Sequence, residues 1–321
     1  MSQVLVFREL PDDQLARITG VHGVVLANPR KDAQQKAAFE AALPQAEGLI
    51  GSSYGITPAL LDAAPRLRVI STISVGVDNY PVAELRRRGI VLCHTPGVLT
   101  ETTADTVFSL VMATSRRLVE LANLVRDGQW TRNIGEDLFG WDVHGKTLGI
   151  LGFGRIGQAV ARRAALGFGM PVKYHGPRDV DVPELRGRAV HTPLDELLAT
   201  CDIVVATLPL NERTRGLMGP REFGLMKPGA IFVNGGRGAT VQEPALLQAL
   251  DSGHLRAAGL DVFATEPLPA ASPLRRHPKI TALPHIGSAT HETRHAMAVL
   301  ATTNLLQALA GQVPPAVYTG S

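Results

Sequence analysis

Arg237, Glu266 and His285 each follow a separate strand-like run, all downstream of the glycine turn Gly152-Phe153-Gly154-Arg155-Ile156-Gly157. A guanidinium, a carboxylate and an imidazole at the ends of successive strands are the parts needed to grip an anion and move a proton. Arg237 sits in a glycine-flanked turn after Ile231-Phe232-Val233-Asn234, at a strand's carboxyl end, where open α/β sheets bind ligands. There it can hold a substrate carboxylate with two parallel bonds and polarise a neighbouring carbonyl. Glu266 lies in the loop after the strand that ends near Asp261, and His285 follows the next strand. If those strand ends adjoin, the carboxylate orients the imidazole and favours its protonated form, which suits a general acid or base. Each residue alone reads as a surface or structural group; the three on loops of one sheet read as catalytic.

The glycine turn follows the strand-like run from Thr147 to Leu151 and opens a helical pattern. In that context Gly152 permits the tight turn, Gly154 lets the backbone approach a pyrophosphate, and Gly157 lets helix and strand pack closely. The helix start adds unpaired NH groups and a positive dipole end. An NAD-type site carries an acid about 20 residues on to hold the ribose, whereas this chain has Tyr174-His175-Gly176-Pro177-Arg178. With no acid there to repel a 2′-phosphate, His175 and Arg178 are its candidate partners, and NADP(H) is favoured over NAD(H). Asp261, the one carboxylate in Ala258-Gly259-Leu260-Asp261-Val262-Phe263, is a candidate ligand contact. Ser74-Val75-Gly76-Val77-Asp78 is a glycine turn whose NH groups could bind a carboxylate, although an ordinary strand–helix turn has the same form.

These groups need a sheet to position them. From Lys146 onward, apolar runs at 148–151, 172–174, 203–206, 230–233, 257–261 and 280–283 alternate with helical patterns, which predicts a doubly wound parallel sheet. A looser alternation at 4–7, 23–26, 49–51, 69–72 and 90–93 reads as a second, smaller α/β unit, and a helix from His291 to Ala310 packs back on it. The expected class is α/β with two Rossmann-like domains. Residues 1–99 with 291–321 form a discontinuous substrate-binding domain, and 100–290 form the dinucleotide-binding domain.

Composition narrows the classes further. The chain has 321 residues, 45% apolar and 19% charged, which describes a well-cored protein. Its formal charge of +3 is small and its arginines are scattered or in short runs, so solvated helix faces are favoured over a nucleic-acid surface. Cys93 and Cys201 are the only cysteines, each among apolar residues, which argues against a disulfide framework or a metal site. Arg8, Glu9, Asp12 and Asp13 precede any long apolar run, and the apolar helix candidate from Thr103 to Leu118 carries Asp105 and Arg116-Arg117. Neither a secretory signal nor a membrane span is expected, and a cytoplasmic protein is.

Over nearly its whole length the chain resembles the D-isomer-specific 2-hydroxyacid dehydrogenase family, closest to the branch of glyoxylate/hydroxypyruvate and 2-ketogluconate reductases. The stretches that carry this are residues 74–79, His94-Thr95-Pro96 with 98–102, the glycine turn, 258–263 with Glu266-Pro267, and 285–293. The resemblance implies reduction of a small 2-keto acid to the D-2-hydroxy acid. Arg237 would bind the keto acid, His285 would be the general acid with Glu266 as its partner, and Val75 and Gly76 would hold the carboxylate. Thr103 and Asp261 would lie against the nicotinamide, and Arg155 and Ile156 would cover the pyrophosphate. It also implies a homodimer with residues 100–143 in the contact, and a place for Trp141 on the active-site rim. Two other readings share the fold: phosphite oxidation by the same Arg, Glu and His, and a nicotinamide-sensing corepressor.

Overall fold

Every pairing between strands is parallel in the structure, a computed structural model that describes residues 2–320. The strands fall into two sheets, each the centre of a compact unit. The described residues up to Leu99 and from Ala289 onward form one unit, and Thr100–Ser288 form the other. The second thus ends at Ser288 and not at the expected 290. The physical reason is the cap of the final helix, where the Thr290 side chain accepts the amide of Thr293 and so belongs with that helix.

In the first unit β1 (Gln3–Val6), α1 (Asp12–Thr19), β2 (Gly23–Leu26), α2 (Ala33–Ala42), β3 (Ala46–Gly51), α3 (Pro58–Asp62), β4 (Val69–Thr72), α4 (Val82–Arg87) and β5 (Val91–Cys93) follow in turn. The sheet order is β2-β1-β3-β4-β5. Leu5, Phe7, Leu49, Ile70 and Leu92 pack with Phe39 of α2, Leu61 of α3 and Leu85 of α4. Burial of each such side chain contributes about 1.5–3 kcal/mol.

The second unit runs through α5 (Thr100–Ser115), α6 (Leu118–Arg126), β6 (Leu148–Leu151), α7 (Arg155–Arg162), β7 (Val172–His175), β8 (Ala189–His191), α8 (Leu194–Thr200) and β9 (Ile203–Ala206). It continues through α9 (Pro220–Leu225), β10 (Ala230–Asn234), α10 (Glu243–Asp251), β11 (Leu255–Leu260) and β12 (Ile280–Ala282). Its sheet order is β12-β11-β10-β9-β6-β7-β8. Read from β8 to β11, this is the dinucleotide-binding order 3-2-1-4-5-6, with the strand order reversing between β6 and β9. The central strands are buried along their whole length, as a sheet covered on both faces requires. Helix α5 lies close to the sheet because two neighbours lack side chains: a methyl group at Gly235 would fall 2.3 Å from Val107, and one at Gly259 2.6 Å from Thr114.

The chain then returns to the first unit as α11 (His291–Leu309). The buried Ser71 hydroxyl donates to the carbonyl of Ala301 at 2.7 Å, and Asn304 donates to the carbonyl of His94 at 3.0 Å, which ties α11 to β4 and to the end of β5.

Two local expectations are corrected. The helix anticipated over 103–118 is two helices, α5 and α6, because Arg117 takes a left-handed conformation with φ 54° that ends the run. β8 has no counterpart among the expected strands: it is three residues long, at a sheet edge, and two of them are exposed. Among the described residues no helix is long and apolar enough to cross a membrane, and no group of side chains is placed to hold a metal ion. Phe232 is fully buried and edge-on to Phe223 at 5.3 Å between ring centres. Phe232→Ala should therefore lower the stability of the second unit by about 3–5 kcal/mol, read as a fall in its urea unfolding midpoint.

Candidate active site

The three chemical side chains expected to cooperate come from neighbouring strand ends of the second unit. β10, β11 and β12 lie side by side in parallel, so the loops after them meet at one edge. Arg237 follows β10 in a turn fixed by Asn234, which is 1% exposed. The Asn234 side chain donates to the Arg237 carbonyl at 3.1 Å and accepts the Gly236 amide at 3.0 Å. Thr240 donates to the same carbonyl at 2.7 Å, and one Arg237 NH group donates to the Gly236 carbonyl at 3.0 Å. The next residue, Gly238, sits so close to the loop after β11 that a methyl group there would lie 1.8 Å from the Phe263 carbonyl carbon. Only hydrogen fits, and the Arg237 turn is thereby seated on the loop that carries Glu266.

Glu266 precedes Pro267 through a cis peptide bond. One of its oxygens, Oε1, accepts the Phe263 amide at 3.0 Å, and Oε2 lies 2.6 Å from His285 Nδ1. Burial acts to raise the Glu266 pKa, but the His285 bond, the Phe263 amide and the charges of His285 and Arg237 outweigh it and hold the carboxyl below its ordinary range. The group is therefore an anion that accepts a proton-bearing Nδ1, which leaves Nε2 as the ring atom for chemistry.

His285 itself has φ 55°, a left-handed conformation that costs a non-glycine residue on the order of 1–3 kcal/mol. The following two amides hold it there. Ile286 donates to Asp261 Oδ1 and Gly287 to Asp261 Oδ2, both at 2.8 Å. Burial pushes the Asp261 carboxyl up, against the two amides and the His285 charge, which act to lower it. Thr103 packs against the same peptide: a methyl group at Gly287 would lie 3.2 Å from both Thr103 and Asp261. Thr106, one turn along α5, donates to the Gly287 carbonyl at 3.4 Å. Asp261 and Thr103 were expected as nicotinamide contacts; the structure places both against the loop that presents His285. Sequence reading missed Thr106 and Gly238, and the only available signal was their proximity along the chain to Thr103 and Arg237.

The glycine turn sits at the carboxyl end of β6, beside β9, at the reversal of strand order. Gly152 has φ 91°, and a methyl group at Gly157 would lie 2.2 Å from the Gly152 carbonyl oxygen. Thr207, after β9, donates to that carbonyl at 2.7 Å. Gly154 is exposed, with no atom within 4 Å of the place a methyl group would occupy. Arg155 and Ile156 open α7 beside it, so free helical NH groups face open space that a pyrophosphate can enter. The residues present fit a dinucleotide. At the end of β7, His175 Nδ1 lies 3.2 Å from the Thr192 carbonyl, and Arg178 is exposed.

Val75 and Gly76 belong to the first unit, in the loop after β4. Their amide groups have no acceptor among the described residues. The loop is held from behind: Ser74 donates to the Gly76 carbonyl at 2.7 Å, and His94 Nδ1 lies 3.1 Å from the Val75 carbonyl. Within one chain, Trp141 stands away from this edge. It lies under Arg256, 4.1 Å from the ring centre, in a cavity with Ile203 and Ala230 at the amino ends of β9 and β10, the opposite edge of the sheet.

A doubly wound sheet with a glycine turn at its switch point and a carboxylate–imidazole pair beside an arginine defines a dinucleotide-dependent oxidoreductase. The comparisons with known proteins carry this further. The profile of the D-isomer specific 2-hydroxyacid dehydrogenase, NAD binding domain, matches residues 108–287. A glyoxylate/hydroxypyruvate reductase B of Citrobacter koseri is 51% identical over 310 residues, which is 97% of this chain and 95% of that protein. A solved protein of Thermus thermophilus is 42% identical, with a TM-score of 0.87, 99% of this chain covered and 100% of that one. The NADPH-dependent glyoxylate/hydroxypyruvate reductase of Sinorhizobium meliloti, solved with NADP and malonate, is 30% identical, with a TM-score of 0.87 and coverage of 99% and 97%. The chain belongs to the D-isomer specific 2-hydroxyacid dehydrogenase family, and it is an oxidoreductase.

Because Glu266 is held below its ordinary pKa, its contribution to stability is present above the unfolded value, about 4.3, and is lost only as pH falls through the lower folded value. The melting temperature of the wild type should thus exceed that of Glu266→Gln at pH 6, and the gap should close only below about pH 4. A gap that stayed constant down to pH 3 would contradict the assignment.

Proposed function

We propose that the protein reduces small 2-keto acids of the glyoxylate, hydroxypyruvate and 2-ketogluconate type to D-2-hydroxy acids, with NADPH favoured over NADH. The observation that carries this is the 2.6 Å contact between Glu266 and His285 Nδ1, electrostatically coupled to Arg237 on the neighbouring loop. Gly152, Gly154, Arg155, Ile156 and Gly157 would cradle the dinucleotide, which when bound would supply the hydride. Arg237 holds the keto acid and stabilises negative charge on its carbonyl oxygen. His285 delivers a proton from Nε2 to that oxygen while Glu266 keeps Nδ1 protonated and the ring fixed. The free amides of Val75 and Gly76 take the substrate carboxylate.

Three further points belong to this reading. His175 and Arg178 receive the 2′-phosphate, and Thr103 and Asp261 border the nicotinamide while they brace the His285 loop. The enzyme is a cytoplasmic homodimer, with the contact in residues 100–143, a reading supported by the exposure of Leu118, Val125, Trp130, Ile134 and Phe139 in that segment. The phosphite and corepressor readings are not favoured, given a reductase relative 51% identical over 97% of the chain.

Initial rates with NADPH and NADH against glyoxylate, hydroxypyruvate, 2-ketogluconate and pyruvate test the reaction. His285→Gln should lower kcat about 10²–10⁴-fold with little change in cofactor affinity, and near-normal turnover would remove the assignment. Arg178→Glu should raise KM for NADPH while sparing NADH, and equal effects on both would discard the phosphate reading. Because reduction consumes one proton, the equilibrium ratio of hydroxy acid to keto acid at a fixed NADPH/NADP+ ratio should fall about tenfold for each unit rise in pH, as about 1.4 kcal/mol per decade implies.

A further inference from the structure

The first sheet also has a switch point. Its order β2-β1-β3-β4-β5 reverses between β1 and β3, and open α/β sheets bind ligands outside the carboxyl ends of their strands at such a reversal. The residues that follow those two strands are Arg8 and the pair Ser52-Ser53. Arg8 Nη1 donates to Ser52 Oγ at 2.6 Å and to Ser53 Oγ at 3.1 Å. Arg30, beyond β2, donates to the Ser53 carbonyl at 2.8 Å, and Ser53 is held with φ 62°. Arg294, in the first turn of α11, is near enough to Arg8 for their charges to repel and is only partly exposed, and its side chain makes no hydrogen bond or ion pair among the described residues.

Among the described residues no carboxylate forms an ion pair with Arg8 or Arg294. Burial and then Arg30 pull the Arg8 pKa down, with the exposed Glu9 a weaker opposing influence, and burial and then Arg8 pull Arg294 down. A partly buried guanidinium with unused donors, beside a second one, is unfavourable until an anion meets them. The positive end of α11 adds to the same field.

The neighbouring strand identifies the anion. β3 lies between β1 and β4, so at the usual strand spacing the Val75-Gly76 loop is roughly 10 Å from the Arg8 backbone, and the arginine side chain shortens that gap. We propose that Arg8, Arg294 and Ser52 form an anion subsite for the distal acidic group of a 2-keto acid whose own carboxylate is held at Val75 and Gly76. The subsite selects keto acids of about six carbons that carry a second carboxylate or a phosphate over neutral ones of equal length. The inference rests on the reading of Val75 and Gly76 given above.

The test compares kcat/KM for 2-ketoadipate with that for 2-ketohexanoate, and for 2-keto-6-phosphogluconate with that for 2-ketogluconate. At least one ratio should exceed ten in the wild type, and the larger one tells carboxylate from phosphate. Arg8→Met and Arg294→Met should each bring that ratio towards one, and Arg8→Lys, which keeps the charge, should retain part of it. Both ratios at or below one in the wild type, or a ratio unmoved by both methionine variants, would overturn the subsite and leave the keto-acid reading standing. Absence of turnover with every 2-keto acid would overturn both.

Discussion

Two backbone amides, those of Ile286 and Gly287, end on the buried carboxylate of Asp261, and the rest of the candidate site depends on that pair of bonds. They hold His285 in a conformation its side chain disfavours, and so decide where the imidazole stands relative to Glu266. Each oxygen of Glu266 is in turn used once, for the Phe263 amide and for His285. Gly238, which touches the Phe263 backbone and has room for nothing but hydrogen, brings Arg237 into the same frame. The site is thus built from backbone contacts between consecutive loops, which are less adaptable than side-chain packing. Precision of this kind suits the acid role proposed for His285, since misplacement of about 1 Å can cost on the order of 10²-fold in rate.

Much of this edge was legible in the sequence because the signals were chemical. A glycine spacing after an apolar strand has few physical meanings, and a polar residue after each of three strands must lie at one sheet edge when those strands are neighbours. The strands around it were legible for the same reason as their burial: Leu148-Gly149-Ile150-Leu151 and Ile203-Val204-Val205-Ala206 are short continuous apolar runs between turn signals, which suit a sheet covered on both faces. What stayed hidden depends on three-dimensional contact. A lone carboxylate in an apolar strand announces that something binds it, but Asp261 gives no hint that its partners include two amides some 25 residues later. β8 is too short and too exposed to carry a pattern. Nothing in Arg116-Arg117-Leu118 forbids a continuous helix, and only the φ of Arg117 divides it.

The two sheets solve one topological problem with different chemistry. Each reverses its strand order once, and each reversal opens a crevice at the carboxyl edge. In the second unit the strand at the crevice ends in glycines, so that backbone amides and a helix end line it. In the first unit the flanking strands are followed within two residues by Arg8 and by Ser52, which offer side chains there. A backbone cradle suits a ligand with a long diphosphate spine, whereas guanidinium and hydroxyl groups suit a compact, variable anion. The difference follows from what stands in the one or two positions after each strand.

The path of the chain has a consequence for how the protein is made. The second unit is continuous in sequence, whereas the first needs α11, whose Ser71, His94 and Leu305 contacts come from the far end of the chain. During synthesis domains fold in the order in which their sequence emerges. The dinucleotide-binding half can therefore close its core while the start of the chain is still waiting, with the strands of its sheet uncovered on the α11 side, for a helix not yet translated. The strands of the first sheet are thus among the last elements to be covered, and the exposure time of that sheet is set by the length of the unit inserted into it.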